Sequence, residues 1–425
     1  MRVLWFANVP THDVWPLDRS DPACGGGWIG SLKDALLRKD PGIELAVTFP
    51  SERLTEPFTA GGVTYFPLME RQTAIPRIRD RWRHITDRAS IIDASLGVVR
   101  SYRPAVVHFF GTERIFGSII PVMGVPGAVH IQGLLTACTR MWFRGSSAVQ
   151  MIRHERAVDL LLARGYLHSY VRAKKAAARE REILSACTCV LGRTDWDRRM
   201  ASILAPRAKY YSCDETLRPE FWQAGWQPHA HPRKVIYATI GEAFYKGLET
   251  LLEAFRFVQE RIPGNVALRI AGVDAGNRIV ALSARSASYR LPSADVTFLG
   301  VLNPREIAGE MTGADVFVHP SHADNSPNSV CEAMLVGMPV VSTNAGGIPG
   351  ILTDNVDGLL VQDGDPYAMA GAILDVLRND GLAAQLSERT RARARVRHEP
   401  DRIAGRMLSV YGDLAGTPLP GSVHT

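Results

Sequence analysis

The sequence predicts an α/β protein built as two domains, each a parallel sheet covered by helices. Three observations carry this. At 425 residues the chain exceeds what one hydrophobic core serves. Short apolar runs alternate with amphipathic stretches along it, which implies strand–helix–strand units with right-handed crossovers. Between residues 216 and 233 the alternation stops, in a segment holding Pro219, Gly225, Trp226 and Pro228. That composition marks a linker. The expected division is a first domain over 1–215, the linker over 216–233 and a second domain over 234–397. A helix over 398–415 is able to cross back to the first domain, and a frayed tail over 416–425 follows. Two such halves suggest a cleft into which both sheets point their strand ends.

In the first domain 3–9, 44–49, 105–110, 128–131 and 190–192 read as strands, being short apolar runs bounded by turn residues. Helices are expected over 29–38 and 88–101. Residues 147–186 read as one long helical region, with Val149, Ile152, Val158, Leu161 and Leu167 at roughly helical spacing. In the second domain strands are expected at 235–240, 267–271, 296–299, 316–318, 340–342 and 359–361. Helices are expected at 247–261, 304–312, 327–336, 367–379 and 382–397.

Composition narrows the class of protein. Apolar content of 46% and charge of 22% are ordinary for a soluble globular chain. A net charge of +6 permits an anionic partner without identifying one. No apolar run reaches the roughly 18 residues of a transmembrane helix. Met1 to Ala7 reads as a buried strand rather than a signal peptide. Six scattered cysteines form neither a metal motif nor a disulfide framework, so a reducing cytoplasm is expected.

The most informative stretch runs from Ala314 to Thr343. An apolar strand leads into a polar loop with Asp324, and Ser326-Pro327 opens a short helix, Ser as cap and Pro at the first helical position. Glu332 lies inside that helix, and a Gly346-Gly347 turn follows the next strand. Positive helix end, carboxylates and open backbone N–H groups suit a ligand with phosphates and sugar hydroxyls. Two carboxylates can accept from vicinal hydroxyls. Otherwise Asp324 forms a turn and Glu332 faces solvent.

Lys246 follows the second domain's first strand, at the start of a helix whose Leu248, Leu251, Leu252 and Phe255 face the sheet. Its charge can neutralise a diphosphate, or it is a solvated surface lysine. Gly25, Gly27 and Gly30 spell a formal dinucleotide fingerprint. The context fails, since the loop lies far beyond the first strand and the second strand lacks its acidic end. Gly26 and Gly27 are better read as a loop whose N–H groups approach a phosphate or sugar, with a flexible surface loop as the plain alternative.

The block from Asp324 to Pro349 resembles the E-x7-E region of the family 4 retaining glycosyltransferases. Tyr245-Lys246-Gly247-Leu248, Phe298 to Leu302 and Gly358 to Val361 extend the resemblance across the second half. The first half is similar only at the glycine loop, at Val107 to Glu113 and at His130 to Gly133. The resemblance implies a GT-B fold, two Rossmann-like domains facing each other across a cleft. It implies that Glu332 binds ribose hydroxyls, that Asp324 lies beside the donor sugar and that Lys246 holds the diphosphate. Backbone N–H groups around Ser326, Pro327, Asn328 and Ser329 would meet sugar and phosphate oxygens, and Leu299 and Val301 would flank the base. The chain departs from the family in three places. Asp324 stands where Glu is usual, the arginine that often precedes the lysine is absent, and Gln132 holds a place where a histidine is common.

The implied reaction is retaining transfer of a hexose-type sugar from an NDP-sugar, UDP or GDP, to an acceptor hydroxyl, in surface polysaccharide or lipid-linked glycan assembly. No metal or other cofactor is expected, because Lys246 and helix ends meet the leaving charge. Glu113, His130, Gln132 and Arg193 are acceptor-side candidates in the first domain. The basic stretches 77–84 and 172–181 could dock an anionic membrane surface, or form a solvated face balanced by Asp80, Asp87, Glu180 and Glu182. The expected location is the cytoplasm or the cytoplasmic face of its membrane; no nucleic-acid partner is expected. The alternatives are a non-catalytic nucleotide-sugar-binding subunit, a GT-B epimerase and a Rossmann oxidoreductase.

Overall fold

The computed structural model describes residues 1–14, 27–69, 80–83, 89–153, 155, 157–228 and 233–416. They form two compact units. Unit 1 comprises Met1–Thr139, Glu155–Thr216 and Glu399–Thr425; unit 2 comprises Arg140–His154 and Leu217–His398.

Among the described residues, unit 1 holds eight strands: β1 (Arg2–Phe6), β2 (Glu44–Ser51), β3 (Phe58–Ala60), β4 (Val63–Met69), β5 (Val106–Phe110), β6 (Gly127–His130), β7 (Cys189–Gly192) and β8 (Lys209–Ser212). Their order is β3-β4-β2-β1-β5-β6-β7-β8, parallel throughout except for the β3–β4 hairpin. β1, β5, β6 and β7 are fully or almost fully buried, so they read as largely apolar runs. The sequence reading missed β3, β4 and β8.

Unit 2 holds β9 (Lys234–Thr239), β10 (Val266–Ala271), β11 (Val296–Gly300), β12 (Val316–His319), β13 (Val340–Thr343) and β14 (Leu359–Val361). The sheet is wholly parallel in the order β11-β10-β9-β12-β13-β14. This is the Rossmann order, and it reverses direction between β9 and β12. Leu248, Leu251, Leu252 and Phe255 cover the sheet at 1% exposure or less, as their spacing predicts. In unit 1 the reversal falls between β1 and β5.

Three expectations need correction. The segment 216–233 is not a free linker. From Leu217 onward it belongs to unit 2, with a short helix (Pro219–Gln223) and with Phe221 and Trp226 buried. Trp226 Nε1 donates to Ala314 O at 2.7 Å, so two large aromatics hold a stretch whose prolines suggested looseness. Residues 147–186, expected as a long helical region, are helical in three pieces among the described residues, Ala148–Arg153, Ala157–Leu161 and Tyr166–Ala186. The helix expected from Pro327 begins at Asn328, with Pro327 in extended conformation at the cap.

The helix Pro400–Ala415 returns to unit 1. Ile403, Met407 and Tyr411 pack into the core that contains Trp5, each apolar side chain contributing about 2 kcal/mol by burial. Tyr411 Oη lies 2.8 Å from Trp5 Nε1 and 2.7 Å from His108 Nδ1.

Candidate functional site

In open parallel sheets ligands bind beyond the carboxyl ends of the strands, at the point where strand order reverses. In unit 2 that point is fixed by the loops after β9 and β12, which carry Lys246 and Asp324. Lys246 ends a single 3-10 turn (Phe244–Lys246), and the following helix starts only at Leu248. Gly247 between them has φ +73°, and a Cβ there would lie 2.0 Å from Pro320 O. Only glycine lets the lysine loop settle onto the β12 loop this closely. The two loops are further joined by His322 N donating to Tyr245 O at 2.8 Å.

Lys246 Nζ lies 2.6 Å from Asp324 Oδ2, and His319 Nε2 lies 3.4 Å from the same oxygen. Burial alone would push the Asp324 carboxyl up. The Lys246 ammonium, followed by His319, outweighs it and holds Asp324 well below the ordinary carboxylate range. Gly346, at φ +55°, packs on the backbone of Asp324, and Gly347 N donates to Asp324 O at 2.9 Å. The carboxylate of the one-methylene-shorter Asp is therefore held by Lys246 and His319, and its backbone by the Gly346-Gly347 turn.

The helix Asn328–Val336 starts beside this pair with no side chain capping it. Ser326 is buried and lies 3.9 Å from Cys331 Sγ instead of serving as cap. Asn328 Oδ1 is buried and meets no hydrogen-bond donor among the described residues. Glu332, one turn in, is 5% exposed, and its Oε1 accepts from Arg218 Nη2 at 2.6 Å and Nε at 3.2 Å. Ser329 is half-buried at the same helix start. Leu299 is half-buried in β11, and Val301 lies just past it at 53% exposure.

Sequence reasoning missed a second set of charges here. His322, two residues before Asp324, is bound on both ring nitrogens. Nδ1 lies 2.5 Å from Asp363 Oδ1 and Nε2 2.5 Å from Glu249 Oε1. Burial lowers its pKa, but the two carboxylates win and raise it to about 9. Arg144 Nε adds a contact to Asp363 at 3.4 Å. The signal was a second histidine in the same loop. Arg218 left none, since it lies in a stretch that reads as linker.

In unit 1 the corresponding edge carries Gly27, Glu113, Gln132 and Arg193. Glu113 Oε2 accepts from Asn8 Nδ2 at 2.8 Å and Oε1 from Gly133 N at 3.1 Å. Burial, with repulsion from Glu180, raises its pKa. Gln132 Oε1 accepts from Trp28 Nε1 at 2.9 Å, and Arg193 Nη2 donates to Gln132 O at 2.8 Å. Gly27 opens the helix Gly27–Lys39 with no described residue within 4 Å of where a Cβ would sit, whereas Gly26 lies outside the described residues. His130 is a correction. It is fully buried between His108, Phe110 and Trp28, and burial depresses its pKa to about 3. It is a core ring, not an acceptor-side group.

Comparison with known proteins agrees with this architecture. Residues 226–393 match the family model of the group 1 glycosyltransferases. Most of unit 2 is thus similar to the group 1 glycosyltransferases, and the fold of the chain is GT-B. Among curated proteins the chain is similar to a D-inositol 3-phosphate glycosyltransferase of Xylanimonas cellulosilytica. The two are 31% identical over 167 residues, which is 39% of each chain. It is also similar to the amylovoran biosynthesis glycosyltransferase AmsK of Erwinia amylovora, at 28% identity over 50% of this chain and 53% of that protein. The matched region thus spans about two-fifths to one half of these relatives' length. Among solved structures, Anabaena HepE in complex with UDP and glucose superposes with a TM-score of 0.64 at 15% identity, over 97% of this chain and 100% of that one.

Proposed function

We propose that this protein transfers a hexose-type sugar from a nucleoside diphosphate sugar to an acceptor hydroxyl, with retention at the anomeric carbon. One observation carries the reading. Lys246 and Asp324 meet at 2.6 Å beside an uncapped helix start, at the point where the strand order of unit 2 reverses. A diphosphate there would draw the ammonium from Asp324 and take the N–H groups of the helix. Asp324 would turn to hydroxyls on the reacting face of the sugar, and the orphan Asn328 Oδ1 would accept another. Glu332, oriented by Arg218, would accept from the ribose hydroxyls.

As the bond from the anomeric carbon to the diphosphate oxygen breaks, negative charge grows on the leaving group, where Lys246 and the helix end stabilise it. The acceptor oxygen bonds to the same face of the carbon, and its proton passes to the departing phosphate. We assign no metal to this step because these groups supply the positive charge. The acceptor is assigned to the carboxyl edge of unit 1, around Glu113, Gln132 and Arg193. UDP is the favoured nucleotide, as in the HepE complex. The likeness to AmsK favours an acceptor in polysaccharide assembly.

The test is a thermal-shift screen against UDP, GDP and ADP sugars, followed by transfer assays with the stabilising donor and chelator added. Lys246→Ala should lower kcat about 100-fold or more with the fold intact. Glu332→Ala should chiefly raise the donor KM. A donor that shifts the melting temperature of wild type and Lys246→Ala alike would sink the assignment.

A further inference from the structure

Among its described residues, unit 1 carries an apolar face that packing does not explain. Val158, Leu161 and Leu167 sit at spacing that implies burial, yet they are 53%, 70% and 44% exposed. Trp82, 50% exposed, joins them. Its indole Nε1 donates to Leu161 O at 3.0 Å, and its ring meets that of His168 edge-on at 5.0 Å. Residues 80–83 and the helix Ala157–Leu161 therefore form one surface.

Cations rim it. Arg83, Arg164, Lys174 and Lys175 are exposed, and Lys175 Nζ donates to Arg83 O at 3.2 Å. The acids that offset them in the sequence partly turn inward. Asp80 is buried, and fully buried Glu180 accepts from Thr112 Oγ1 and from the N–H groups of Leu135 and Thr136. Asp159 is half-buried, and Glu182 is exposed. Among the described residues the outward face is thus more basic than its composition.

We propose that this face docks on the surface of an anionic lipid bilayer. Large apolar side chains clustered in water mark an interaction site. An interfacial tryptophan beside leucines, with lysines and arginines whose stems reach toward phosphates, matches the layering of a headgroup region. A second copy is disfavoured by charge, because a two-fold contact would oppose the same four cations. The inference is independent of the donor site, since vesicle binding and sugar transfer are read separately.

The test is co-sedimentation of the full chain with vesicles of phosphatidylcholine alone or mixed with phosphatidylglycerol. Wild type should pellet with the anionic vesicles and be released by salt. Leu161→Glu with Leu167→Glu should weaken partitioning about tenfold or more. Lys174→Glu with Lys175→Glu should weaken it by a similar factor on anionic vesicles only. These side chains are exposed, so melting temperatures should hold, and the charge variant reports even if the leucine variant misfolds. Equal partitioning on neutral and anionic vesicles would overturn the proposal. So would unchanged binding by both variants, or a dimer that Leu161→Glu converts to monomer.

Discussion

His322 faces Glu249 on one ring nitrogen and Asp363 on the other, with Arg144 beyond Asp363. Only the doubly protonated ring donates to both carboxylates. Its folded-state pKa of about 9 stands above the ordinary 6.5, so the stability it supplies is full below pH 6.5 and lost as pH rises through about 9. His322→Gln should therefore melt lower than wild type at neutral pH, and the gap should close toward pH ~10. A gap that does not change with pH would show the ring to be neutral. The same loop shows what was legible at this scale. Asp324, Lys246 and Glu332 stand out because strand ends, a proline and glycines bracket them. Their partners do not stand out. Arg218 lies 114 positions from Glu332, and Asp363 lies 41 positions from His322. Such pairings exist only after the chain has folded.

Among the elements, the buried parallel strands were legible because both their faces are apolar. β3 and β4 were not, since Gly61-Gly62 reads as a surface turn and half-buried alternation in β4 gives a weaker signal. The region 147–186 misled because its apolar spacing is helical whether a side chain faces a core or the outside. The helix Arg278–Ser286 was missed, although Asn277 caps it by accepting from Ile279 N at 3.0 Å. The terminal helix invites a direct test. Tyr411→Phe keeps the ring and deletes the oxygen shared by Trp5 and His108. A buried indole N–H loses its partner, which costs about 1–3 kcal/mol. Denaturant unfolding should show the loss, and an unchanged midpoint would mean that water replaces the hydroxyl.

For the molecule as a whole, the two-sheet plan followed from alternation alone, while the borders of the units did not. Arg140–His154 joins unit 2 although unit 1 residues flank it on both sides. The last helix joins unit 1, the crossing back that the sequence allows. Truncation after His398 should therefore damage the unit it does not adjoin in sequence. It removes Ile403, Met407 and Tyr411 from the core around Trp5, about 2 kcal/mol for each apolar side chain. Limited proteolysis should then cut within residues 1–139 while 217–398 survives; the reverse pattern would contradict the assignment.

During synthesis the returning helix has a further effect. Residues 217–398 can leave the ribosome and close their own sheet while the earlier strands still wait for a helix encoded after them. The half made first is the half completed second. Its apolar sheet face stays open for as long as translation takes to reach Tyr411, so chaperones would find their substrate in unit 1.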